Sequence, residues 1–98
     1  MPKIKIIDHV TEKHVQWYCP GCQMKHHVPV GAARGWDFNE SVDNPTLDPS
    51  IRFHPTPMSP HCHSNITLGF IHFHGDSDHA MAGQVVEMVD VDTKPDKI

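Results

Sequence analysis

Apolar and polar residues alternate with a period of two along most of this chain. In KIKII (3–7), Ile4 and Ile6 alternate with Lys3 and Lys5, as in a half-buried strand. Val15 and Trp17 in HVQWYC lead a second strand into Cys19, and Val28 and Val30 in HHVPV mark a third. Pro29 confines that third strand to a sheet edge, because it has no N–H to donate. Trp36 and Phe38 in GWDFN repeat the period. NPTLDPS (44–50) reads as turn chemistry, each proline restricting the residue before it. A short strand, IRFH, then gives way to PTPMSP (55–60), an exposed loop.

The stretch CHSNITLGFIHFHGDSDH (62–79) predicts a β-hairpin. Cys62, Ser64, Ile66 and Leu68 share one face, and His63, Asn65 and Thr67 the other. After a turn at Leu68-Gly69, Ile71 and Phe73 face the core while His72 and His74 face outward. Ser77 is suited to cap a brief helix over DHAMAGQ (78–84), with Asp78 at its positive end and Gly83 near its close. VVEMV (85–89) predicts a last strand. The fold class is therefore mostly β, a small α+β domain of short antiparallel strands with a knuckle turn, a hairpin and one short helix. Residues 1–88 are expected to form one compact metal-binding domain, and 89–98 a polar C-terminal tail.

Composition narrows the picture. The chain has 98 residues, 38% of them hydrophobic, with 9 prolines and 6 glycines. That is one domain with a lean core, which gains from a staple such as a metal or a partner subunit. A net charge of −4 argues against general affinity for nucleic acid or anionic membranes. The charge is uneven: Lys3, Lys5, Lys13, Lys25 and Arg34 lie in the first third, whereas residues 36–92 are strongly acidic. No apolar run approaches the roughly twenty residues that span a bilayer, and MPKIKIIDHV lacks a signal-peptide core. A cytoplasmic location is expected, or association with a virion.

Three cysteines are too few for a disulfide framework, and two of them form CPGC (19–22), a tight turn that lets two thiolates bind one ion. Zinc takes four ligands. Cys62 is the natural third, and His79, His63 and His26 compete to be the fourth. His79 is expected beside the returning hairpin, and His26 gives a compact C-x-x-C-x-x-x-H spacing. Cys62 and His63 are adjacent on a strand and point to opposite faces, so they should not share an ion. A second transition-metal site from His61, His63, His72 and His74 is the sharper reading of the remaining histidines, and a solvated polar face the plainer one.

Several of these segments carry a family resemblance. WYCPGC with His26, a GWDFN segment, PTLDPSI, CHS, GFIHF and HAMAGQ follow in that order over about seventy residues from Trp17. The pattern resembles a family of small phage and prophage proteins whose members are often labelled ammonia monooxygenase, a copper-dependent, membrane-embedded chemistry that this chain does not suggest. That family has cysteine and threonine where Ser77 and Asp78 stand here, which favours Cys62 and His79 as the pair completing the site with Cys19 and Cys22.

The expected function is a structural-zinc domain acting as a protein-binding module, in a host-takeover, anti-defence or minor virion role, since no nucleophile–base pair stands out in the chain. It would bind a host or phage protein and could form oligomers. The alternatives are a zinc-dependent hydrolase using His63 or His79 with Asp76 or Asp78 as base, and a zinc-ribbon-like nucleic-acid binder.

Overall fold

A computed structural model describes residues 2–8, 13–31, 35–57 and 60–92. Among the described residues, eight strands form two antiparallel sheets. The first sheet has the order β1-β2-β3, from β1 (Ile4–Asp8), β2 (Lys13–Cys19) and β3 (Met24–Val30). The second has the order β4-β5-β6-β7-β8, from β4 (Asp37–Phe38), β5 (Leu47–Phe53), β6 (Cys62–Thr67), β7 (Phe70–Phe73) and β8 (Val85–Glu87). Every strand pairs with its sequence neighbour within its sheet, so each sheet is a meander. Pro29 lies in β3, an edge strand, where its missing N–H costs no ladder bond.

The apolar halves of the alternating strands meet in one core. Ile4, Val15, Trp17, Val28 and Val30 come from the first sheet, and Leu47, Ile51, Ile66, Ile71 and Phe73 from the second. The polar halves of β5, β6 and β7 lie on the opposite face, and Arg52, Thr67 and His72 are exposed there. The β6–β7 turn uses Leu68 and Gly69, both with positive φ (47° and 85°), as the right-handed twist of a two-residue hairpin requires.

Two expectations about local structure are corrected. The segment 78–84 is not a helix, and there is no helix among the described residues. Its bonds are single turns, from Ala82 N to His79 O (3.2 Å) and Gln84 N to Met81 O (3.0 Å). Gly83 takes φ +79° and donates to Phe73 O (3.0 Å) instead of continuing a helical ladder. Seven residues whose backbone is claimed by a neighbouring strand cannot repay helix nucleation. The fold is all-β. Second, NPTLDPS is not wholly a turn, because β5 begins at Leu47. The strand runs through a cis Asp48-Pro49 bond, and its register against β6 shifts between Leu47 and Ile51.

The sheets are joined by main-chain bonds as well as by the core. Trp36 bridges to Val30, and its N–H donates to Pro29 O (2.9 Å). At the other end the chain stays packed as far as Val91, which is 1% exposed and donates to Pro2 O (3.0 Å). Of the expected tail, 93–98 lie outside the described residues. Ile66 is fully buried between the sheets. Ile66→Ala should therefore lower stability by about 2–5 kcal/mol in denaturant unfolding, and a loss below about 1 kcal/mol would show that the core is not packed there.

Candidate active site and metal centre

The two faces of β6 carry two different chemistries. On the inner face, Cys62 meets Cys19 at the end of β2, Cys22 in the CPGC turn and His26 on β3. One ligand atom from each lies within 4.8 Å of all the others. The Cys19 and Cys62 sulfurs are 3.9 Å apart, close to the roughly 3.8 Å separating two thiolates on a tetrahedral zinc with 2.3 Å bonds. The knuckle turn is tightened by Gln23 N–H donating to Cys19 O (2.7 Å) and Cys22 N–H to the Cys19 sulfur (3.4 Å).

The imidazole of His26 is held flat against Phe53, with ring centroids 4.1 Å apart and an interplanar angle of 14°. Its Nε2 is buried with no hydrogen-bond partner, a cost that a metal bond would remove. The sulfurs act strongly on one another. Hydrogen bonds from Cys22 and Cys62 push Cys19 far below the usual thiol range, against the cost of burial. The same bonding raises Cys22 to about 12 and Cys62 further still. Three sulfurs this close repel as thiolates, and a divalent cation relieves that repulsion. The Cys3His set thus fits a metal ion in charge, number and spacing.

His79 and His63 are outside this group. His79 lies against the knuckle, where a Cβ on Gly21 would collide with its ring. Its Nδ1 accepts from Met81 N–H (3.3 Å), and its edge packs against Phe73. A side chain at position 21 would therefore displace the His79 ring. His63 points to the opposite face from Cys62, as strand alternation demands.

On that outer face the histidines are not bystanders. His63 Nε2 lies 3.3 Å from Ser50 Oγ. Its Nδ1 lies 3.2 and 3.3 Å from the two carboxylate oxygens of Asp76. A hydroxyl, an imidazole and a carboxylate thus stand in series, an arrangement that can activate a serine. The Ser50–His63 distance is at the loose end for such a pair, as is common before substrate binds.

Each member has a local reason for its place. Ser50 sits where the β5 register shifts, and its carbonyl accepts from the Trp36 indole N–H (3.2 Å). His63 is clamped by Ser77, whose Oγ accepts from His63 N–H (3.0 Å) and donates to His63 O (3.1 Å). Its ring is stacked on His74, with centroids 3.9 Å apart, and His74 Nε2 is held 2.6 Å from Asn65 Oδ1. Asp76 lies in the turn after β7. Desolvation raises its pKa, but the hydrogen bond to His63 outweighs that and holds it below the usual carboxylate range.

The sequence reading placed Ser50 in the PTLDPSI motif but gave it no role, because Pro49-Ser50 lay in a segment assigned to a turn. The three residues also have no local spacing to find, since each lies 13 positions from the next.

The family described as "Bacterial ubiquitination-like system serine protease (BubE)" matches residues 2–74. The chain belongs to this family. The BubE match includes all four metal-cluster residues, Ser50 and His63, and it ends two residues before Asp76. The match shows a small protein of a bacterial family and does not bear on the phage family that the motifs resemble. Neither the curated proteins nor the solved structures contain a match.

Metal analysis of untagged protein should find about one ion per chain. His26→Ala should lower that occupancy, whereas His79→Ala should leave it unchanged. The reverse pattern would place His79, not His26, on the metal.

Proposed function

We propose that this protein is a serine peptidase of a bacterial ubiquitination-like system, built on a domain whose sheets are pinned by structural zinc. The observation that carries this reading is the Ser50–His63–Asp76 series, found in a chain whose family is described as a serine protease.

The steps follow from the geometry. Ser50 Oγ attacks the substrate carbonyl as His63 Nε2 removes its proton. The imidazolium is stabilised through Nδ1–H by Asp76, which also selects the tautomer that leaves Nε2 free to accept. His63 then returns the proton to the leaving group, and water repeats the sequence in reverse to release the acyl group. The half-buried ring of His63 is shielded on one side by His74, so its orientation survives the charge change.

Cys19, Cys22, His26 and Cys62 would hold the zinc. Four protein ligands leave no open position for water, and three thiolates dull its Lewis acidity, so its contribution is to folding. This favours the structural role over the hydrolase reading in which a histidine-ligated metal activates water. The protein partner expected of a binding module becomes, in this reading, the peptidase's substrate.

A fluorophosphonate probe should label Ser50 in the wild-type protein and should fail to label Ser50→Ala of the same fold and metal content. Hydrolysis of p-nitrophenyl acetate should fall by about 10⁴-fold or more in Ser50→Ala and by a similar order in Asp76→Asn. Equal labelling of wild type and Ser50→Ala would sink the proposal.

A further inference from the structure

The orienting acid of this triad is itself poorly supported. Asp76 is exposed, with 54% of its side chain accessible, and besides a bond from its own main chain its carboxylate is held among the described residues by one side chain, His63. Its placement must therefore come through the main chain of the 76–78 turn.

His61 supplies that hold. It is 8% exposed, and both ring nitrogens are engaged. Nδ1 is 2.8 Å from the Asp76 carbonyl oxygen, and Nε2 is 3.0 Å from Arg52 Nε. A guanidinium can only donate, so Nε2 must carry the lone pair and Nδ1 the proton. Nδ1–H then donates to the Asp76 carbonyl. The His61 main-chain carbonyl also accepts from Asp78 N–H (2.9 Å). The turn is thus gripped on both sides of Ser77, which itself clamps His63. Arg52 pairs directly with His63 across β5 and β6, so it stands on the catalytic face beside the base.

We propose that Arg52 and His61 are positioning residues of the peptidase. Arg52 holds His61 in its Nδ1–H tautomer, and His61 holds the main chain of Asp76 where its carboxylate meets His63. The proposal rests on the triad reading, and it adds two residues that act through the main chain of Asp76. It also gives a role to His61, which a reading by ligand spacing would assign to a metal.

The test uses the zinc-loaded full chain, with metal content checked for every variant. Two rates are followed, fluorophosphonate labelling of Ser50 and kcat with KM for p-nitrophenyl acetate. His61→Ala and Arg52→Met should each lower the labelling rate and kcat by about ten- to a hundredfold, as expected for a misplaced catalytic group, with KM unchanged. His61→Asn keeps an N–H donor near the Nδ1 position and should recover most of the loss. Because the relay acts through the acid, His61→Ala should cost almost nothing further in an Asp76→Ala background. Should His61→Ala fail to fold, Arg52→Met in the two backgrounds makes the same comparison from an exposed position.

Equal losses with and without Asp76, or a change confined to KM, would overturn the relay while leaving the triad standing. Wild-type protein that is never labelled at Ser50 would overturn the triad, and the relay with it.

Discussion

Cys62 and His63 are consecutive residues on one strand, and the pleat sends them to opposite faces. Everything specific about this domain hangs on that constraint. Cys62 turns inward to a cluster drawn from both sheets, and His63 turns outward to Ser50 and Asp76. A structural zinc there would supply about 10–16 kcal/mol of binding free energy, comparable with the entire stability of a typical domain. The lean core could not be expected to hold two meanders together with the same force.

On the proposed reading, the outer face assembles a serine triad from little material. Ser50, His63 and Asp76 come from β5, β6 and the turn after β7, with neighbouring strands setting their separations. Short side chains on adjacent strands already lie near hydrogen-bond distance, so no long loop is required to assemble them. What such a site lacks is burial, because the outer face of a sheet is open to water. The stack of His74 on His63, the clamp of Ser77 and the ring of His61 make up part of that deficit. They replace a deep cleft with rings and hydroxyls packed around one imidazole.

The histidine content follows from this economy. Ten histidines are many for a domain of this size. His26 lies in the metal cluster, His63 in the triad, and His61 and His74 pack around the triad. Imidazole serves each place because it is flat enough to stack and has two distinct nitrogens, one to donate and one to accept.

Much of the fold was legible from local pattern. Period-two alternation located most of the strands, Leu68-Gly69 marked the hairpin, and CPGC with Cys62 identified three sulfurs of one kind. These features depend on residues near one another in the chain, where backbone geometry and side-chain direction are coupled. The helix expected at 78–84 failed because its turn signals were real but its backbone bonds were taken by Phe73 and the strand beside it. Tertiary structure alone decided the rest. His26 lies with the three cysteines because Phe53, from the other sheet, stacks on its ring, while His79 lands on Gly21 instead. Ser50 meets His63 only because a shifted register carries it there, and Asp76 meets the same ring from a turn whose carbonyl His61 contacts. Those relations join different strands, and no spacing along the chain encodes them.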